Sequence, residues 1–338
     1  MLRLLGVLVT VVCAIAAAVL TWPSFFRVDR VFPIAQIVSF RTVLAIGFAL
    51  LAVLALLFAL IRPLRGFALS LALVMAAAAV AGGTIVVMRG TGTSALPAKG
   101  DDSVRVLTWN TAGADIADTV AQMAVAMEAD VVALPETTIE TGEAVALAMR
   151  DLGHRMWAYH AEYGDDGWGA LSTTLLISPD LGDYAVIESS IDGSSNTSTV
   201  PSAVAMPVDG DGPTIVAAHA VAPRQDDMGH WRNDLQWLAD QCGQSNVILA
   251  GDFNATVDHF GQLGVDGGML GRCTDSAVQS GNGAVGTWPT DLTALLGAPI
   301  DHVMTGDAWV ATGSLVLTTL DDSGSDHRPL VVQLEPAG

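Results

Sequence analysis

The chain is 338 residues long, 51% hydrophobic and 15% charged, with 35 acidic against 15 basic residues and a formal charge of −20. Such an acidic surface repels polyphosphate backbones unless metal ions or a local basic patch intervene, which counts against a general nuclease, although solubility or salt adaptation would produce the same bias. Three cysteines with no CxxC spacing are too few for a zinc site.

Residues 4–22, 42–61 and 67–88 contain no charged side chain. Each is long enough for a membrane-spanning helix, which needs roughly 20 apolar residues. The first could instead be a cleaved signal peptide with Arg3 as its basic start. Arg62 and Arg65, in the tight link between the second and third segments, favour the cytoplasmic side. Arg3 places the N-terminus there too, while Arg27, Arg30 and Arg41 argue the other way. Three spans starting inside leave everything after Arg89 outside, and loss of the first span would not change that.

The stretch 90–103 (GTGTSALPAKGDDS) has the composition of a flexible tether. The remainder, 104–338, is long enough for one large domain with a substantial core. Only Asp29 among the acidic residues precedes residue 100, so residues 100–338 carry 34 acidic groups against seven arginines, a formal −27. Cys13 lies in the first span and reads as a packing residue. Cys242 and Cys273 lie in the domain, flanking GDFN, and are candidates for a disulfide in an oxidising compartment.

Elements in the domain alternate. Strands are predicted at 104–109, 131–134, 173–178, 185–189, 202–208, 214–220, 247–253, 300–304, 314–320 and 329–334. Helices are predicted at 115–129, with Ile116, Val120, Met123, Ala124 and Met127 on one face, at 138–152 with Gly153 as its stop, and at 227–241 with Trp231, Leu235 and Leu238 on one face. Strands outnumber helices, which favours two sheets over one parallel sheet.

Five strand ends carry polar residues suited to one site: Asn110 in VRVLTWN, Glu136 in VVALPE, Asp252 and Asn254 in VILAGDFN, Asp301 and His302 in PIDHVM, and Ser325, Asp326 and His327 in SDH. Alone, Glu136 could be a solvated carboxylate, Asn110 an Asx-turn residue and GDFN a polar turn. Together they supply what metal-assisted phosphoester chemistry requires. Glu136 offers a hard oxygen suited to Mg²⁺, and Asp252 and Asn254, two apart in an extended segment, point the same way.

With His219-x-x-x-Pro223 added, the set of a strand ending in Asn, a strand ending in Glu, G-D-F-N, I-D-H and S-D-H-x-P resembles the endonuclease/exonuclease/phosphatase superfamily, over about Val104 to Leu334. The resemblance implies an α/β fold, a four-layer sandwich of two mixed β-sheets of the DNase I type, here preceded by three transmembrane helices. It implies Glu136 as principal metal ligand with Asn110 and Asp326, and Mg²⁺, or Mn²⁺, as cofactor. It implies Asp252 as the group that orients and deprotonates water, Asn254 as a holder of phosphate or water, and His327 as a phosphate donor charged by Asp301. His219 matches a second phosphate donor, or is a structural histidine. Where relatives carry an aromatic residue, His302 is expected to pack or support the site. His154, His160, His230 and His259 are expected on the surface. Trp288 reads as packing or as a wall of the cleft, and the loops 160–172 and 189–200 are expected to set specificity. Three spans before such a domain resemble the actinobacterial branch containing a teicoplanin-resistance membrane protein.

The expected function is a multi-pass, cell-membrane, extracytoplasmic phosphohydrolase, with a phosphorylated, lipid-linked substrate as partner and nucleic acid disfavoured. An extracytoplasmic nuclease is the alternative enzyme, and a catalytically inactive binding or sensing module the alternative outside catalysis.

Overall fold

The computed structural model describes residues 2–92, 95–164, 167–187 and 195–338. Four helices open the chain: α1 (Leu2–Thr21), α2 (Ile34–Ser39), α3 (Arg41–Phe58) and α4 (Arg65–Arg89). Three segments are long and apolar enough to cross a membrane, Leu4–Thr21, Arg41–Phe58 and Arg62–Arg89, with mean hydropathies of 2.7, 2.4 and 2.3. Their leucines and valines largely face outward, while Ala17, Ala52 and Ala78 pack with Phe48 and Met75 between them. Small residues let these backbones approach closely: a Cβ at Gly82 would stand 3.2 Å from the Ala45 Cβ. The short helix α2 was not legible in IAQIVS, which is less than two turns long.

The rest folds as β1 (Val104–Thr108), α5 (Ala117–Ala126), β2 (Val131–Pro135), α6 (Ile139–Asp151), β3 (Trp157–Glu162), β4 (Ser172–Ile177), β5 (Tyr184–Val186), β6 (Ala203–Pro207), β7 (Thr214–His219), α7 (Met228–Gln241), β8 (Val247–Asp252), β9 (Thr274–Asp275), α8 (Ser276–Gln279), β10 (Asp301–Thr305), β11 (Trp309–Val316) and β12 (Leu330–Pro336). The strand expected at 185–189 ends early; its last two residues, and the first three of the Gly/Ser/Asn-rich run at 192–198, lie outside the described residues. The edge strand β3 has no clean alternation of buried and exposed positions, so periodicity missed it. The strand expected at 314–320 starts earlier and yields to a turn at 318–320.

Two six-stranded mixed sheets result, in the orders β11-β12-β1-β2-β4-β3 and β5-β6-β7-β8-β10-β9. The parallel pairs are β1/β2 and β7/β8, which α5 and α7 connect, and the other pairs are antiparallel. Alternation along the strands builds the layers. Val106, Val131, Ala133 and Leu175 face Ile215, Ala217, Ile248 and Ala250 between the sheets. Leu107, Val132, Leu134 and Leu176 face α5 and α6 through Val120, Ala124, Val145 and Met149. Val216, Leu249 and Met304 face Trp231, Leu235 and Leu238 of α7. Central strands buried on both faces explain why they read as apolar runs.

Cys242, at the end of α7, is disulfide-bonded to Cys273. The described residues of the expected tether at 90–103 form no helix or strand, yet they are tied down. Arg105 donates to the Pro97 carbonyl, Gln333 to that of Ala98, and Lys99 pairs with Asp130.

Candidate active site

Register places the polar strand ends side by side. In the second sheet His219 pairs with Asp252, and Asp252 with Asp301, so three neighbouring strands present these side chains in one row on one face. In the first sheet Trp109 bonds to Ala133 and Thr111 to Pro135, which sets Asn110 beside Glu136. Gly251 makes the row possible: a Cβ there would stand 1.9 Å from the Ala218 carbonyl oxygen.

Asn110 joins the two sheets. Its amide nitrogen donates to Glu136 Oε1 at 3.1 Å and to Asp252 Oδ2 at 3.0 Å, while its oxygen accepts from the Ala112 N–H. Asp252 also accepts from the Asn254 backbone N–H at 2.7 Å and from its side-chain amide at 3.1 Å. Glu136 and Asn254 both adopt positive φ, 54° and 45°. Such strain in non-glycine residues is held only where surrounding structure imposes it, and it clusters at functional sites.

His327 Nδ1 lies 2.8 Å from Asp301 Oδ2, and its Nε2 is 3.9 Å from Asp252 Oδ2. Burial opposes a charge on this ring, but the carboxylates of Asp301, Asp252 and Asp326 prevail and raise its pKa to about 10. Asp252 is pushed up, first by burial and then by the Asp301 carboxylate. His219 goes the other way: burial, with the charge on His327, lowers it to about 3, leaving a neutral imidazole. Its Nε2 is 3.8 Å from Glu136 Oε1, and its buried Nδ1 has no partner among the described residues. Neither has Asp301 Oδ1.

Of the eight residues singled out from the sequence, Asn110, Glu136, His219, Asp252, Asn254, Asp301 and His327 are thus linked in one cluster. Asp326 stands at its exposed edge, where it accepts from Trp288 Nε1 at 2.9 Å. Asp252, Asp301 and His327 bring ligand atoms within 4.8 Å of one another, a group that fits a metal site by proximity. A charged imidazole, however, has no lone pair to offer a cation. The Glu136 carboxylate, 28% exposed, keeps an accessible oxygen of the kind Mg²⁺ prefers.

Supporting contacts come from Ser325, already marked in SDH, and from Thr287 and Trp109, which had no role assigned from the sequence. The Thr287 hydroxyl accepts from the backbone N–H groups of Ile300 and Asp301, Trp109 Nε1 donates to the His327 carbonyl, and Ser325 Oγ donates to the Asn110 carbonyl. His302 is buried between Asp275 and the Ala255 carbonyl, 2.5 and 2.8 Å away, and stacks edge-on against Phe253 and Phe260. His259, expected on the surface, is instead fully buried, bonded to Thr256 and, at 3.0 Å, to the Ala35 carbonyl of α2. Its partner lies 224 residues away, which no local pattern encodes.

A model of the endonuclease/exonuclease/phosphatase family matches residues 107–327, more than half of the chain. Among solved structures, an endonuclease/exonuclease/phosphatase from Beutenbergia cavernae is similar at 18% identity and a TM-score of 0.53, covering 70% of this chain and 72% of that one. D. rerio TDP2 complexed with a single-strand DNA product gives 17% identity and a TM-score of 0.53, over 70% of this chain and all of that one. A family protein from Leptotrichia buccalis gives 14% and 0.51, over 69% and 99%. No curated protein matches.

Proposed function

The chain belongs to the endonuclease/exonuclease/phosphatase family, and from that premise we propose a membrane-anchored, extracytoplasmic, Mg²⁺-dependent phosphohydrolase whose phosphoester or pyrophosphate substrate is carried by a lipid. Membership makes it a metal-dependent phosphoesterase of that family. The observation that carries the finer reading is the cluster of Glu136, Asn110, Asp252, Asp301 and His327 on a domain joined to three apolar helices. Residues 1–89 are read as the anchor, 90–103 as the connection and 104–338 as the catalytic domain. Arg62 and Arg65 in the α3–α4 turn favour the cytoplasm for that turn, and the Cys242–Cys273 disulfide fits an oxidising exterior. The resemblance to the branch containing a teicoplanin-resistance membrane protein rests on the three spans alone.

Glu136, with Asn110 and Asp326, would hold the metal ion, Mg²⁺ or Mn²⁺; when bound, it supplies charge to neutralise phosphoryl oxygens. Asn110 reaches that role by turning its amide, since its nitrogen now faces both carboxylates. Asp252, with its raised pKa, accepts the proton of the attacking water, and Asn254 orients that water or a phosphate oxygen. His327 donates a charged N–H to a nonbridging oxygen as negative charge develops there, fixed by Asp301. His219 donates as a neutral imidazole. The nuclease reading is disfavoured by the formal −27 over residues 100–338, where no lysine occurs.

The test is phosphate release from a long-chain polyprenyl pyrophosphate, and headgroup release from a phosphodiester lipid, by the full chain in lipid nanodiscs. Release that needs Mg²⁺ and is abolished by Asp252→Ala supports the reading. A folded, metal-binding protein that cleaves neither lipid but degrades single-stranded DNA would replace it with the nuclease.

A further inference from the structure

The outer ends of all three spans meet at one carboxylate. Arg41, the first residue of α3, donates to Asp258 Oδ2 at 3.0 Å and Oδ1 at 2.5 Å, and through its third nitrogen to the Thr21 carbonyl that ends α1. Arg89, the last residue of α4, donates to both oxygens of Asp258 at 2.7 Å. Asp258 therefore marks the level at which the spans leave the apolar layer. It lies six residues beyond Asp252 in the chain, so the membrane surface and the catalytic loop are neighbours.

The loop between the first two spans is moulded onto this side of the domain. Ser24 Oγ donates to the Asp258 carbonyl, Arg30 to that of Gly261, and Gln36 to that of Pro223, four residues past His219. Ala35 is buried in the core beneath α7. The fit at Gly261 is close, since a Cβ there would meet Ser24 side-chain atoms at 2.5 Å. Phe40, immediately before α3, packs against Trp288 with ring centroids 6.0 Å apart, and Trp288 is the residue bonded to Asp326. Three side chains thus connect a span to the exposed edge of the active site. Around this path apolar groups stay uncovered. The 294–296 turn rests beside α3 with Leu292 and Leu295 exposed, and Trp22, Phe25, Phe26, Phe32 and Ile37 of the loop are exposed as well. Aromatic and aliphatic side chains at the end of membrane spans sit at headgroup depth.

We propose that residues 22–40 complete the substrate cleft on its membrane side, and that Phe40, Trp288, Leu292 and Leu295 form an apolar rim on which the hydrocarbon of a bilayer-resident phosphoester rests. This rests on the phosphohydrolase reading for its substrate but not for its geometry. A phosphate at headgroup level faces the Asp252–His327 cluster while its chain stays in the bilayer, so the substrate need not leave the membrane. Selection is by the chain rather than by cationic side chains.

Two measurements test it on the full chain. In a Cys13→Ser background, a nitroxide on Leu295→Cys in phosphatidylcholine vesicles is expected to collide with oxygen more than with a water-soluble nickel chelate; the same label on Leu147→Cys, exposed on α6, is expected to do the reverse. A Leu295 label that behaves like the Leu147 label overturns the proposal. The second measurement compares kcat/KM for a long-chain polyprenyl pyrophosphate with that for water-soluble isopentenyl pyrophosphate, which share the scissile group. Phe40→Ser and Leu295→Ser are each expected to lower that ratio by about ten-fold or more, and Phe40→Leu to restore most of it. A ratio within about two-fold of the parent for both serine variants overturns the role of the rim. If the parent cleaves neither compound, the pyrophosphatase reading fails, and the label alone decides whether the rim meets the bilayer.

Discussion

Replacing Asp301 by Asn removes the carboxylate on which the charge of His327 depends. The two side chains are buried and 2.8 Å apart, and the imidazole pKa rises from 6.5 to about 10 despite burial, with Asp301 first among the carboxylates that raise it. At about 1.4 kcal/mol per factor of ten, that rise corresponds to about 5 kcal/mol favouring the charged ring in the folded protein. Asp252 and Asp326 share the effect, so Asp301→Asn should remove roughly 2–3 kcal/mol of it. A group whose folded pKa is raised stabilises fully below its unfolded value and loses that contribution as pH climbs through the folded one. Unfolding free energy of the parent should therefore decline between pH 6.5 and about 10, and the Asn variant should flatten that decline. The assay pairs an NMR titration of the His327 ring with equilibrium unfolding in detergent and EDTA, so that no metal ion adds its charge. Turnover with Mg²⁺ should fall by about 10³-fold or more, as when an orienting carboxylate is removed from a catalytic imidazole. A variant whose His327 still titrates near 10, or whose turnover stays within about ten-fold, would refute the assignment.

Two further expectations concern stability. Asp258→Asn leaves the guanidinium groups of Arg41 and Arg89 without a counter-charge in a nearly buried node, at a cost of about 3–5 kcal/mol, read as a lower detergent-unfolding midpoint. Burial alone would raise the Asp258 carboxyl, but Arg89 and Arg41 hold it well below the usual carboxylate range. Its contribution should persist at every pH above about 4 and be lost only as pH falls further; an Asn variant as stable as the parent at pH 7 would show the node to be dispensable. The Cys242–Cys273 disulfide closes a loop of separation 31, so Cys242→Ser with Cys273→Ser should lose up to about 4 kcal/mol in a denaturant titration. A loss below about 1 kcal/mol would mean that the native loop gains little from the crosslink.

The apolar runs and their polar ends are legible in the sequence itself. VRVLTWN, VVALPE, VILAGDFN and PIDHVM each place a strand and its site residue in adjacent letters, because a buried strand must be apolar and a site at a sheet's end must begin where it stops. The three long apolar helices were legible for a similar local reason, since a helix suited to a bilayer must be apolar on every exposed position. The family resemblance assigned Asp301 to His327, but no local run contains that pairing: Asp301, at the start of β10 in one sheet, lies 26 residues from His327, just before β12 in the other, and only the packing of the two sheets brings them together. His259 was expected on the surface, and Asp258 beside it carried no local signal. They became the meeting point of the apolar helices only because Arg41, 217 residues earlier, and Ala35 fold back onto them. Chemistry written along one strand can be read from the chain, whereas contacts between segments hundreds of residues apart depend on how sheets and helices pack, and only the tertiary structure decides them.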